Sequence, residues 1–173
     1  MGFMNEMSKI KDKVLPYLQG TIVDVGCADC KVTPEAIGVD GRKLNGVDIV
    51  TDDPSLLSKI TGSDYADCLF SSHILEHLAD DTAALTDWWH ILKQSGYLIL
   101  YLPDGRYYKN KENPEHVRDY NYEDFMFYFN QVFCGCAKDF HGDNYPKLFH
   151  LIESGTDFGE DRYSFYLVAQ KVI

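Results

Sequence analysis

The chain has 173 residues, of which 45% are hydrophobic and 25% charged, a size and balance expected of one soluble globular domain spanning 1–173. Its formal net charge of −11 repels phosphate backbones and argues against DNA or RNA as the main partner. No apolar run approaches the ~20 residues of a membrane span, and the first residues lack a signal peptide's apolar segment, so the expectation is no membrane and a cytoplasmic location.

Residues 5–18 predict an amphipathic helix, with Met7, Ile10, Val14 and Leu18 at helical spacing and Pro16 placed to break it early. A first strand covers 21–25 and ends on Asp24 and Gly26, and a second covers 36–39 and ends on Asp40. Only 16 positions separate Asp24 from Asp40, too few for a full crossover helix, and Thr33-Pro34 suits a single turn instead. A third strand is read at 48–51, a helical turn or two at 55–60, and a fourth strand at 67–72, apolar on both faces. A helix then starts at Leu75 or Asp80 and reaches Lys93, with Ala84, Leu85, Trp88, Ile91 and Leu92 as its apolar face and Ser95-Gly96 as its stop. The fifth strand is 97–102, closed by Pro103, and 104–120 is polar, aromatic and irregular. Asn121, with Asp124 three residues on, caps a helix to about Phe129. Strands at 147–153 and 163–172 around a turn at 155–161 form a closing antiparallel hairpin. The fold class expected is α/β, a Rossmann-like doubly wound, mainly parallel seven-stranded sheet with that C-terminal hairpin.

In doubly wound sheets a ligand sits at the carboxyl ends of the strands. A glycine turn after the first strand admits it to the backbone, and an acid after the second accepts from a ribose. Gly26 and Asp40 stand at these places, so an adenosine-type cofactor is expected. The five cysteines, Cys27, Cys30, Cys68, Cys134 and Cys136, are read as reduced thiols. The one-residue gap in Cys134-x-Cys136 fits a zinc site poorly, and no metal is expected there. Arg106, Lys109 and Lys111 form the sole basic cluster and read as a solvated loop.

Asp24-Val25-Gly26-Cys27-Ala28 resembles the glycine motif of class I S-adenosylmethionine-dependent methyltransferases. Residues 67–78 are similar to the fourth-strand motif of their small-molecule branch, and 92–98 to the turn before their fifth strand. The family's second and third glycines are Ala28 and Cys30 here, and the shortened first connection is similar to that of bacterial enzymes of sugar and cell-surface chemistry. The resemblance implies S-adenosyl-L-methionine as cofactor and a small-molecule methyl acceptor. It implies that Gly26, Cys27 and Ala28 bring backbone to the methionine part, that Asp24 orients the turn, and that Asp40 takes the ribose hydroxyls. It places Asp52 at the adenine, unless Asp52 is only a turn residue before Pro54, and Ser71 and Ser72 beside the sulfonium.

His73 is the first candidate base, since imidazole titrates near neutral pH, with His116 and His141 behind it. Tyr107, Tyr108, Tyr120 and Tyr122 either line an acceptor pocket or cover the sheet edge. Glu76 and His77 are read as structuring the fourth loop. His73-x-x-Glu76-His77 also matches the inverted zinc-peptidase pattern, which requires a helix through His73. A degenerate methyltransferase-like binding or scaffold domain is the alternative function. The oligomeric state is not legible.

Overall fold

A computed structural model describes residues 6–108, 115–138, 141–156 and 163–172. The expected turn at 155–161 and the basic positions Lys109 and Lys111 therefore lie largely outside the described residues. Helix α1 is Glu6–Val14 and gives way at Pro16 to a 3-10 turn, Leu15–Tyr17. Strand β1 is Ile22–Val25, β2 Ile37–Asp40 and β3 Ile49–Val50. A 3-10 turn and the short helix α2, Ser58–Thr61, lead into β4, Ala66–Ser72. Helix α3 is Asp81–Ile91, β5 Leu92–Pro103, α4 Tyr122–Phe133, β6 Phe149–Gly155 and β7 Ser164–Lys171.

The seven strands form one sheet in the order β3-β2-β1-β4-β5-β7-β6. The first five are parallel, and β7 runs antiparallel between β5 and β6. The expected fold class is therefore the observed one. The order reverses between β1 and β4, the switch point beside which ligands bind in such sheets.

Side chains alternate across each strand, and both faces are buried. On one face Val23, Val25, Leu69, Leu98 and Leu100 pack against Trp88 of α3 and Phe125, Phe129 and Phe133 of α4. On the other, Ile22, Cys68, Phe70, Ile99 and Tyr101 meet Ile10 and Val14 of α1. Cys68 is thus a core residue, and none of the five cysteines forms a disulfide among the described residues.

Between β1 and β2 the chain makes only turns, with the Ala36 N–H donating to the Thr33 carbonyl at 3.1 Å. Val32 and Ala36 enter the α1-side core from this connection. The Asp24 carboxylate accepts the Val32 N–H at 2.6 Å and holds the connection against the sheet. A side chain and one hydrogen bond do here what a crossover helix does elsewhere.

The C-terminal stop expected at Ser95-Gly96 is not one. Helix α3 ends at Ile91 and β5 begins at once, pairing Leu92 with Ala66 and then Tyr97 with Cys68. The residues between bulge out of the ladder, with Ser95 at φ 63°. A Cβ on Gly96 would stand 2.9 Å from the Lys93 carbonyl oxygen and 3.1 Å from that of Asp67, so glycine is required by close backbone approach inside the strand. Helix α4 starts as expected, with the Asn121 Oδ1 accepting the Asp124 N–H at 2.9 Å, and runs on to Phe133 because Phe129 and Phe133 continue its buried stripe.

Within α4, Phe129 is 0% exposed and Phe127 is 68% exposed. Phe129→Ala is expected to destabilise the domain by about 3–5 kcal/mol and Phe127→Ala by less than about 0.5 kcal/mol, read as the difference in urea midpoints at equal slope.

Candidate active site

A crevice of about 570 Å³ opens at the carboxyl ends of β1, β2 and β4, within the range of small-molecule sites. Of the residues singled out in the sequence, Gly26, Asp40, Asp52, Ser72 and His73 line it. His77, read from the sequence as structuring the fourth loop, lines it too, as do Glu115 and, not foreseen as site residues, Arg42, Thr51 and Ile74. Arg42 and Thr51 carried a positional signal, each lying just past a strand end, whereas Glu115 is brought in by the return of the chain after β5.

Asp40 ends β2 and is 8% exposed. Its Oδ2 accepts the Ala28 N–H at 3.1 Å, and its Oδ1 accepts the Arg42 N–H at 2.9 Å and the Arg42 Nε–H at 3.1 Å. Burial raises the carboxyl's pKa, but the bonds from Arg42 and Ala28 prevail and hold it below the usual carboxylate range. The group is an ionised, oriented acceptor. Asp52 is exposed at the rim, and it is Asp53, not Asp52, that caps the turn at Pro54 through the Ser55 N–H at 3.0 Å. That leaves Asp52 facing the crevice.

Four expected cofactor residues stand behind the wall rather than on it. Asp24 shares a strand face with Ile22, so its carboxylate is 2% exposed and turned toward Val32. Burial pushes its pKa up to about 7. Cys27 is buried, its Sγ only 2.7 Å from where a Cβ on Gly38 would sit, and burial followed by Asp24 and Asp40 pushes its thiol up to about 12. Ala28 adopts φ 48°, a left-handed conformation costing roughly 1–2 kcal/mol, and its bond to Asp40 holds it there. Ser71 is fully buried on the α3 and α4 side of β4, and its Oγ has no hydrogen-bond partner among the described residues.

Over Gly26 the Ile74 side chain closes in. Gly26 has φ 84°, and a Cβ there would meet Ile74 Cγ1 at 1.9 Å. Glycine is needed both for the turn and for this contact.

His73 follows β4 with φ 54° and is succeeded by a 3-10 turn, Leu75–His77. No helix passes through it, so the one-face histidine pair of the zinc-peptidase pattern is not formed. Its Nε2 lies 3.1 Å from Ser164 Oγ. Burial, then His116, Lys9 and His77, push its pKa down to about 3. The near-neutral titration expected of a base is therefore lost, although the ring is neutral and keeps a lone pair. His116 does not line the crevice. It packs edge-on against His77 at 4.6 Å, and burial lowers its pKa as well. Between these rings lies Glu76, fully buried, with burial pushing its carboxyl up to about 8.

The four tyrosines do not line the crevice either. Tyr108 stacks near His116, Tyr120 donates to Asp81 at 2.9 Å, Tyr122 is 2.9 Å from Ser154 Oγ, and Tyr107 is exposed. His141 is exposed at the surface. Arg106 pairs with Asp104 and Glu123 rather than forming a basic patch.

No protein-family model matches the chain, and no curated protein matches it. Solved structures do. A methyltransferase from Mesorhizobium loti, S-adenosylmethionine dependent, superposes at a TM-score of 0.68 with 11% identity over 96% of this chain and 98% of that one. One from Archaeoglobus fulgidus gives 0.60 and 19% over 95% and 94%. One from Thermotoga maritima gives 0.64 and 17% over 95% and 88%. The fold is that of class I S-adenosylmethionine-dependent methyltransferases. Within this methyltransferase fold the crevice occupies the switch point of the strand order, and the short first connection is a local departure.

Asp24 yields a pH test. Its folded pKa of about 7 exceeds the ~3.9 of an unfolded aspartate, so between these values the folded state binds the extra proton. Its contribution to stability is therefore greatest in acid and declines as pH rises from about 4 to 7. Asp24→Asn keeps an acceptor for Val32, and its stability relative to wild type is expected to improve steadily over that window in urea titrations.

Proposed function

We propose that this chain binds S-adenosyl-L-methionine in the crevice and transfers its methyl group to a small-molecule acceptor. The observation that carries this is Asp40: an ionised carboxylate, fixed by Ala28 and Arg42, on the wall of a crevice at the sheet's switch point. With Oδ1 accepting twice from Arg42 and Oδ2 once from Ala28, the carboxylate keeps one acceptor site on Oδ2 for a ribose hydroxyl donor. Asp52 serves the adenine end, and Gly26 and Ser72 flank the reacting end. The sugar and cell-surface chemistry implied by the shortened connection gives the acceptor class we favour.

Methyl transfer joins the acceptor atom to the methyl carbon as the carbon–sulfur bond breaks, leaving the neutral thioether. For an oxygen or nitrogen acceptor a proton must also leave. The protein's share is alignment, exclusion of water and removal of that proton. Neutral His73 lies on the crevice wall with its Nε2 engaged at Ser164 Oγ, and its lowered basicity makes it a positioning group before it is a base.

One observation favours the alternative of a binding or scaffold domain without catalysis: Ile74 covers Gly26, where the cofactor's methionine part approaches the backbone in the methyltransferase reading. Calorimetry with S-adenosylhomocysteine separates the two. Micromolar binding supports the enzyme, and silence at millimolar ligand supports the scaffold.

Asp40→Ala is expected to weaken that binding tenfold or more, since a charge-assisted hydrogen bond is worth about 1.5–3 kcal/mol; unaltered affinity would remove Asp40 from the site. His73→Asn, which tolerates the left-handed backbone, is expected to lower turnover with little change in cofactor affinity. Full activity in that variant would exclude His73 from the reaction.

A further inference from the structure

Behind the crevice wall a buried carboxylate stands without a partner. Glu76 is 0% exposed, and among the described residues neither Oε1 nor Oε2 has a hydrogen bond. Carboxylates in such surroundings are normally paired, hydrogen-bonded or bound to a metal. Three imidazole nitrogens face the same oxygen: His73 Nδ1 at 3.7 Å, His116 Nε2 at 3.9 Å and His77 Nε2 at 4.0 Å from Oε1. These distances are too long for hydrogen bonds. They are close to the ~3.4 Å that separates two ligands of one tetrahedral ion.

The ligand atoms of Glu76, His77 and His116 lie within 4.8 Å of one another. Metal–nitrogen and metal–oxygen bonds of ~2.1 Å place tetrahedral ligands roughly 3.4 Å apart, so the widest pair must close by up to about 1.4 Å. His77 is also oriented for the task. Its Nδ1 lies 3.1 Å from the Glu115 carbonyl oxygen, which only accepts, so the ring's proton is on Nδ1 and the Nε2 lone pair is turned toward Glu76. Metal-bound histidines are fixed by this kind of outer hydrogen bond. The Val117 N–H donates to the Glu76 carbonyl at 3.0 Å and keeps His116 beside the carboxylate.

We propose that Glu76, His77 and His116 bind a divalent first-row transition-metal ion, with His73 beside it on the crevice wall. Imidazoles with one carboxylate select this class over calcium or magnesium, which prefer all-oxygen sites. His73 and His77 line the crevice, so an open coordination position points toward it. The use of that position rests on the methyltransferase reading: it suits an acceptor presenting a hydroxyl or other oxygen donor. Ion binding itself does not depend on that reading.

The test uses the full chain freed of metal by chelation and titrated with Co²⁺ by visible absorption and with Zn²⁺ by calorimetry. One ion per chain is expected, with cobalt bands of nitrogen and oxygen ligation and no thiolate charge-transfer band. His116→Ala and Glu76→Gln are each expected to weaken binding at least tenfold, and Cys27→Ser with Cys30→Ser to leave it unchanged. If Glu76→Gln does not fold, His77→Ala carries the same expectation from a more open position. Absence of binding at millimolar Co²⁺, a thiolate band, or undiminished affinity in the histidine variants would overturn the site. S-Adenosylhomocysteine calorimetry in chelator runs alongside. Cofactor binding without ion binding defeats the metal site alone, and ion binding without cofactor binding defeats only the methyltransferase reading.

Discussion

A parallel sheet must be covered on both faces, and the eleven or so residues between β1 and β2 cannot supply a helix to do it. The bond from Val32 to the Asp24 carboxylate resolves that constraint. It pins a turn-rich segment so that Val32 and Ala36 complete the core with α1. The same segment delivers Ala28 to Asp40, and Asp40 in turn orients Arg42. This wall of the crevice thus descends from one buried aspartate whose own side chain faces away from it. Its raised pKa is the thermodynamic mark of that burial.

Element types were legible because their signals are local. The apolar runs of β1, β2 and β4, the cap at Asn121 and the apolar stripe of α3 each name a structure within a few residues. Ser95-Gly96 misled because a glycine past a helix reads as a cap, whereas here the close approach of the Lys93 and Asp67 carbonyls demands it. The candidate crevice was legible at and just past the strand ends, where Gly26 and Asp52 also reach it. Asp40, Ser72 and His73 end strands and reach the crevice. Asp24 and Ser71 lie in buried surroundings and do not line it.

The histidines show a different limit. Their ordinary pKa made them candidate bases, but solvation is a property of the folded chain. Burial and mutual repulsion depress His73 and His116. The sequence places Glu76 and His77 side by side, yet His116 lies about forty residues away. Only the return of the chain after β5 brings the three together around an unpartnered carboxylate.

That return is sewn in both directions. The Val117 amide reaches the Glu76 carbonyl, and the His77 ring reaches the Glu115 carbonyl. These two reciprocal stitches join residues 76–77 to 115–117 beside the crevice. Glu115 and His77, both on the crevice wall, are thereby tied to each other, while the Arg42 side chain, 69% exposed, is held at the same crevice by its own bond to Asp40.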